Sequence, residues 1–428
     1  MSEHPVQNAS LISIFSIIAS MSLVSIGNGM MFAYIPFMLS TTDAPSWSAG
    51  AAVTASAVGG LIGCFITGPL IRRVGHARVF ACSMGLVVLS WVTVGFGLDP
   101  LAWIFARGLY GVAGNVNFII SQSWLNHAAA NSWRGKAMSA FYMIYIFGLG
   151  LGAWVFGQMP VTGNVVPLIA VAFTAIAILP IGLTRLPNPP PPAHVSVDVK
   201  MAWRASPVGL IGVLAAGGLS MLVQGFAPIY AAGNGVGQQD VALLMFVMQF
   251  GIVFIQYPMG IMSDRIDRRL VLLATAALIV VVGFAALVVP FSQFVLLMLI
   301  FSIFAGSVET VYSIANAHAN DRTAPEDFVS LSSTMLLAWS ASAVFVPLLV
   351  TALTPVIGEQ TFIYGAVLVA AAYGLFVMAR VRVRAPVPAS DAESFELMSA
   401  QVPRAGALIE TAENGGKTAA APGLQGER

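Results

Sequence analysis

One acidic side chain interrupts a long apolar stretch in the second half of the chain. Glu309 stands nine residues before His318, where that stretch ends. An acid at mid-helix costs about 2.5–3.5 kcal/mol on membrane-insertion scales, so it usually faces a cavity or a partner. Helical spacing puts small or polar residues on the same stripe: Ser302, Gly306, Ser313, Asn316 and Asn320. Glu309 is therefore predicted to bind a proton or a cation; a structural hydrogen bond and a direct contact to a bound molecule are the alternatives.

One basic side chain also lies inside an apolar stretch. Arg107 is the only one of the 19 Lys and Arg residues to do so. It lies about 9 Å along the helix from the nearer end of its stretch. Its helical face also carries Gly111, Gly114, Asn115, Phe118 and Gln122. Two interpretations stay open: Arg107 pairs with an anion or with Glu309 in a cavity, or its side chain extends to the lipid headgroups.

The composition indicates which solvent surrounds the helices that hold these residues. Of the 428 residues, 58% are hydrophobic and 9% are charged, whereas about a quarter of a soluble domain is charged. A chain so poor in charge cannot cover a water-facing surface, so a lipid bilayer is predicted. A net charge of +1 gives no reason to expect a nucleic-acid partner. Cys64 and Cys82 lie in apolar segments, which argues against a disulfide or metal framework.

Twelve apolar stretches have the length of membrane spans, which need about 20 residues of helix. They cover residues 11–39, 48–71, 79–98, 101–124, 137–157, 165–183, 207–231, 240–262, 270–289, 294–317, 328–353 and 362–379. Helices are predicted rather than strands, because backbone groups cannot stay unpaired in lipid and the apolar runs do not alternate. The predicted fold class is an all-α membrane protein with twelve transmembrane helices.

The basic residues outside the spans all fall on one side of this arrangement. Loops on the other side, such as 41–47 and 234–240, contain no Lys or Arg. The positive-inside rule therefore predicts that both termini are cytoplasmic, with a bacterial inner membrane as the expected location. The predicted organisation is a cytoplasmic N-terminus (1–10), a six-helix bundle (11–183), a proline-rich cytoplasmic linker (184–206), a second six-helix bundle (207–384) and a disordered cytoplasmic tail (385–428).

A dense cluster of charge separates the eighth and ninth spans. The run SDRIDRR (263–269) holds five charges in seven residues. It has a counterpart 192 residues earlier, where Gly68 corresponds to Gly260. The segment HAAANSWRGK, from His127, is likewise echoed by HANDRTAPED, from His318. Two halves that repeat in the same orientation predict a central site between them.

The repeated turn resembles the G-x-x-x-D-R-x-G-R-R signature of the major facilitator superfamily. Its second copy matches at Gly260, Asp264, Arg265, Arg268 and Arg269, with Asp267 in place of the inner glycine. The first copy contains Gly68, Arg72, Arg73 and Gly75, and Arg72 stands where the acid is expected. The stretches RGLYG to SQSWLN (107–126) and RGKAMSAFYM (134–143) resemble the YcaD-like branch. The resemblance covers about residues 11–384.

This resemblance implies two bundles that rock about a central path and cytoplasmic turns that act as a breakable latch. Asp264 and Arg265 would form the latch in the second copy. The path would be lined by spans one, four, seven and ten, together with two, five, eight and eleven. The candidate cavity residues are Asn28, Asn115, Gln122, Tyr142, Tyr145, Gln224, Gln249, Gln256, Ser313 and Asn316. Each of them could instead form an ordinary interhelical hydrogen bond.

Together these features predict a monomeric secondary transporter that exports or imports a small neutral or amphipathic solute with proton coupling. An uncoupled facilitator is one alternative. A receptor or assembly protein that kept the fold without transport is another, supported by the degenerate first signature. No enzyme activity, cofactor or metal is expected, because the sequence contains no P-loop, no zinc-ligand spacing and no nucleophile elbow.

Overall fold

The computed structural model describes residues 11–129, 134–184, 186, 189, 197–324, 327–383, 395 and 398. These residues form thirteen α-helices and one short 3₁₀ turn, Phe291–Gln293. The helices are α1 (Leu11–Thr41), α2 (Ser48–Val74), α3 (His76–Gly95), α4 (Pro100–Ala128), α5 (Arg134–Gly157), α6 (Val165–Gly182), α7 (Val199–Ala205), α8 (Pro207–Gly233), α9 (Gln238–Arg265), α10 (Arg268–Val288), α11 (Phe294–Asn320), α12 (Phe328–Ile357) and α13 (Thr361–Val381). The predicted N-terminal segment and most of the predicted tail lie outside the described residues.

Twelve of these helices correspond to the predicted spans. Eleven have the length and apolar composition to cross a membrane, and α4, which carries Arg107, completes the set. The predicted fold class is therefore confirmed. The remaining helix, α7, lies in the segment that the sequence predicts only as a semi-rigid linker. It forms because the Asp198 side chain accepts a hydrogen bond from the Met201 amide at 2.8 Å and caps its first turn.

The two sets of six long helices pack in the same way. In the first half (α1–α6), α1 packs on α5 and α6, α2 packs on α4, and α3 packs on α4 and α6. In the second half (α8–α13), α8 packs on α12 and α13, α9 packs on α11, and α10 packs on α11 and α13. The same pairs of equivalent helices meet in each half, so the sequence repeat corresponds to a structural repeat.

Glycine allows the closest helix crossings within the first half. A Cβ atom on Gly59 of α2 would overlap the carbonyl oxygen of Gly108 on α4. A Cβ atom on Gly152 of α5 would overlap the carbonyl oxygen of Ile26 on α1. Backbone oxygens cannot rotate away as side chains can, so these crossings depend on glycine.

We expect Gly59→Ala to destabilise the protein by about 1–3 kcal/mol, because the added methyl group forces α2 and α4 apart. Gly85→Ala is the matched control. Gly85 also lies within a helix, but nothing lies within 4 Å of the position of a Cβ there. Melting temperatures of the purified variants measure the difference. Equal melting temperatures for the two variants would show that the crossing tolerates a side chain.

The two halves meet at the end of the bundle opposite the basic turns. Gly50 of α2 lies against Thr351 of α12, and Gly225 of α8 lies against Val53 of α2. The Gln238 side chain at the start of α9 donates to the carbonyl oxygen of Phe156 in α5 at 2.7 Å. These contacts join the halves at what is called here the non-basic end; the other end, where α2 and α9 finish in arginines, is called the basic end.

Candidate functional site

A cavity of about 170 Å³ lies between the two halves. Its walls come from α1, α2, α4 and α5 of the first half and from α8, α9 and α12 of the second. Gly225 and Val53 belong to its lining, and the contact at Gly50 lies next to it towards the non-basic end. The cavity therefore stands where the sequence repeat predicts a central site.

Arg107 is the charged side chain of this cavity. It is 8% exposed, and its guanidinium carbon lies 4.6 Å from the ring centre of Phe32 and 5.4 Å from that of Tyr110. Tyr110 in turn stacks on Trp91 of α3, with ring centres 4.7 Å apart. The Nη1 atom of Arg107 is buried and has no hydrogen-bond partner. A stack of aromatic rings thus holds the cation at the cavity wall without neutralising it.

Amide side chains supply most of the other polar groups of the lining. Asn115 donates to the Gly60 carbonyl oxygen at 2.7 Å and so connects α4 with α2. Gln249 of α9 donates to Gln224 of α8 at 3.3 Å. Tyr145 of α5 also lines the cavity. The predicted residues found at the lining are thus Arg107, Asn115, Tyr145, Gln224 and Gln249. Both halves therefore present polar groups to the same space.

Other predicted cavity residues lie elsewhere. Gln122 and Tyr142 are buried and hydrogen-bond each other at 2.9 Å, which joins α4 to α5. Asn316 donates to the Tyr312 carbonyl oxygen of its own helix at 2.9 Å. Asn28 is buried within α1, at 1% exposure. The hydrogen bond of Gln122 is of the interhelical kind that the sequence leaves open as an alternative, whereas that of Asn316 stays within its own helix.

Glu309 is fully buried on α11, at 0% exposure. The Ser220 hydroxyl of α8 donates to its carboxylate at 3.1 Å. Among the described residues that line the cavity, Glu309 does not appear, and no ion pair joins it to Arg107. The pairing of Arg107 with Glu309, one of the two cavity roles considered for Arg107, is therefore absent from this structure. The interpretation of a side chain extending to the headgroups does not fit either, because the cation lies inside the protein.

A polar cluster lies one turn from Glu309, towards the basic end. The Gln256 amide of α9 donates to the Ser313 hydroxyl of α11 and contacts the Glu309 carbonyl oxygen at 3.4 Å. Both Gln256 and Ser313 also donate to the backbone carbonyl oxygen of Met398, at 2.5 and 3.1 Å. Two residues predicted for the cavity thus bind a part of the C-terminal tail.

The second charged turn is held by buried ion pairs. Arg268, at 4% exposure of its side chain, lies 2.7 Å from the Asp321 carboxylate at the end of α11 and 3.7 Å from Asp264. Arg269 lies 2.6 Å from Asp267. Burial alone would raise the pKa of Asp267, but the hydrogen bonds and charge of Arg269 outweigh it and hold that pKa below its ordinary value. These pairs fix the ends of α9, α10 and α11 to one another.

The first charged turn is built differently. Arg72 and Arg73 are exposed, and Gly75 ends α2 with a φ of 82°, a left-handed conformation that favours glycine. Gly68 is half-buried, whereas its equivalent Gly260 is buried. Arg265, the predicted partner of Asp264 in the latch, is exposed. In the second copy, Arg268, Arg269 and their acids form a charged network.

The sequence did not single out several residues that shape the site. Ser220 binds Glu309, and the aromatic rings of Phe32, Tyr110 and Trp339 line the cavity. Tyr110 could have been found, because it lies three residues from Arg107 and so shares its helical face. Ser220 and Trp339 gave no such signal, since their roles depend on contacts with other helices.

Duplicated six-helix bundles around a central cavity are the architecture of a class of membrane transport proteins. The chain belongs to the Major Facilitator Superfamily, whose family model matches residues 17–230 and again 208–412. It is thus a multi-pass integral membrane protein of a transporter family.

Curated relatives agree with this assignment. The chain is 25% identical over 338 residues to an uncharacterized MFS-type transporter of Yersinia pestis (strain Pestoides F), covering 77% of this chain and 86% of the relative. It is 23% identical over 336 residues to the uncharacterized MFS-type transporter YcaD of Salmonella newport (strain SL254), with the same coverage. The resemblance to the YcaD-like branch is confirmed.

Solved structures share the fold. A variant of the nucleoside transporter NupG is similar with a TM-score of 0.69 and 13% identity, over 86% of this chain and 100% of that one. A D-xylose-proton symporter gives a TM-score of 0.65 and 14% identity, over 86% and 97% of the two chains. At such identities the similarity concerns the fold alone.

Proposed function

We propose that the protein is a secondary transporter that moves a small solute across the membrane by alternating access, coupled to protons through Glu309. The observation that supports this proposal most strongly is that Glu309 on α11 is fully buried and accepts a hydrogen bond from the Ser220 hydroxyl of α8. The two halves are joined at the non-basic end, and the cavity between them would hold the solute. Rocking of the halves would expose the cavity to each side in turn.

The surroundings of Glu309 suit reversible protonation. A carboxyl group in a low-dielectric interior is more stable in its neutral form, and a hydroxyl partner can serve either protonation state. Arg107 does not form an ion pair with Glu309. The Arg107 cation therefore does not hold the Glu309 carboxylate in its charged form. A movement of the halves that brings water to Glu309 would allow the acid to release its proton.

An uncoupled facilitator is the second candidate. It is favoured by the position of Glu309 outside the cavity lining, where the hydrogen bond from Ser220 could serve only to join α8 and α11. The two candidates differ in a single measurable quantity, the movement of protons with the solute.

The orientation proposed here puts the basic end in the cytoplasm, with both termini on that side and the protein in a bacterial inner membrane. The positive-inside rule supports it, because Arg72, Arg73, Arg265 and Arg268 all lie at that end. Reporter fusions at Asn234 and at Arg265 are expected to lie in opposite compartments. The same compartment for both would contradict the proposed threading.

The transport proposal is tested with purified full-length protein in liposomes that contain a trapped pH-sensitive dye. Solutes from a panel of sugars, nucleosides, amino acids and small organic acids are added singly, and proton movement and solute uptake are recorded. Uptake with proton movement supports the proposal. Uptake without proton movement supports the facilitator, and no uptake of any solute contradicts both.

A further inference from the structure

We propose that the central cavity binds a small organic anion, whose negative group lies against Arg107. This inference rests on the proposed transport function and names a substrate class for it. The sequence alone predicts a neutral or amphipathic solute. The setting of Arg107 in the structure favours a negatively charged one.

Arg107 carries its positive charge inside the protein. Its guanidinium is buried, and no acid forms an ion pair with it in the described part of the chain. Phe32 and Tyr110 offer the faces of their rings, which attract the cation but accept no strong hydrogen bond. A buried cation without an acid is costly, so a resident charge of this kind points to a missing partner.

The rest of the cavity supplies no negative charge among its described lining residues. No Asp or Glu occurs among the described residues that line it, and Nη1 of Arg107 is left without an acceptor. The cavity is therefore positive when empty. A carboxylate would supply both the compensating charge and the two acceptor oxygens that a guanidinium fork can bind.

The cavity wall also favours a particular shape and polarity for the remainder of the ligand. Aromatic rings and aliphatic side chains cover most of the wall, including Phe118, Leu149 and Trp339. Gln224 and Gln249 stand on the second half, while Arg107 belongs to the first. A molecule with a carboxylate at one end, an apolar body and a polar group at the other end would thus contact both halves at once.

Matched pairs of ligands test the charge directly. Binding of benzoate and benzamide, and of phenylacetate and phenylacetamide, to the purified full chain is measured by titration calorimetry. Each pair has nearly the same shape and differs in charge. We expect at least one carboxylate to bind about tenfold more tightly than its amide. Absence of such a preference in every pair would overturn the proposal.

Variants assign the preference to Arg107. Arg107→Gln is expected to lose it, and Arg107→Lys to retain part of it. Arg380→Gln is the matched control, because Arg380 also lies over aromatic rings, at 5.5 Å from Trp203 and 5.6 Å from Phe376, but outside the cavity lining. A preference that persists in Arg107→Gln would contradict the proposal.

A stability measurement separates binding from a structural role. Without ligand, Arg107→Gln is expected to melt at the same temperature as the native chain or higher, because the substitution removes a buried charge that has no acid paired with it. A marked fall in melting temperature would assign Arg107 to the scaffold instead. Carboxylate binding without transport would contradict the proposed function alone, and proton-coupled transport of neutral solutes only would contradict the anion site alone.

Discussion

Glu309→Gln is expected to abolish the stimulation of solute uptake by a pH gradient, which falls to the level measured without a gradient. Glutamine has nearly the same size and can keep the hydrogen bond with Ser220, but it cannot bind and release a proton. Exchange of labelled for unlabelled solute should persist in the variant, because exchange needs no net movement of protons. The measurement is uptake into liposomes, with the solute that the panel identifies, under both conditions.

Glu359→Gln provides the matched control. Glu359 also belongs to the second half and lies outside the membrane spans, where burial raises its pKa and Asn234 donates to it at 3.0 Å. Glu359 is therefore an alternative proton-binding residue, and it lies at the non-basic end of the bundle. The control should keep full stimulation. If stimulation is lost in Glu359→Gln and kept in Glu309→Gln, the proton-binding residue is Glu359 and the proposed role of Glu309 is wrong.

Asp321→Asn is expected to destabilise the protein by about 3–5 kcal/mol, because it leaves Arg268 buried without its nearest counter-charge. Arg268 is 4% exposed and lies 2.7 Å from Asp321, so water cannot easily replace the lost acid. The more distant Asp264, at 3.7 Å, offsets only part of the loss. Melting temperature and denaturant unfolding of the purified variants measure the effect.

A double variant distinguishes the ion pair from general damage to the turn. Arg268→Met combined with Asp321→Leu removes both charges and should recover most of the stability, since a buried pair can be replaced by apolar residues at little cost. Arg72→Met in the first turn, where the arginine is exposed, should change the free energy of unfolding by less than about 0.5 kcal/mol. A fall as large as that of Asp321→Asn would show that exposure does not decide the outcome.

The helices could be predicted because the bilayer requires each span to be a helix of about 20 mainly apolar residues. Long apolar runs between basic turns mark α1 to α6 and α8 to α13, and the 192-residue repeat between Gly68 and Gly260 anticipates the repeated packing. The linker helix α7 was missed because it is short and its stability comes from a cap at Asp198 and from packing of Trp203 on Phe376. Neither feature appears in a hydrophobic pattern.

The site could be predicted only as far as the faces of single helices. Arg107, Asn115 and Gln249 were expected at a cavity and do line one. The hydrogen bond between Gln122 and Tyr142, by contrast, depends on how α4 and α5 are rotated towards each other. Helical spacing fixes which residues share a face but leaves open which helix that face meets, so Ser220 and the tail contacts could not be foreseen.

Arg107 and Glu309 occupy equivalent helices, α4 and α11, of the two repeats, and they remain unpaired with each other. On the proposed mechanism, the anion neutralises Arg107 and the proton neutralises Glu309, so the loaded carrier crosses as a neutral body. The empty carrier, which has released both the anion and the proton, contains a cationic Arg107 and an ionised Glu309 and is neutral as well. A net charge that crosses 100 mV would gain or lose about 2.3 kcal/mol. Because these two groups give neither the loaded nor the empty carrier a net charge, membrane voltage would act on neither step, and the transport cycle would be electroneutral.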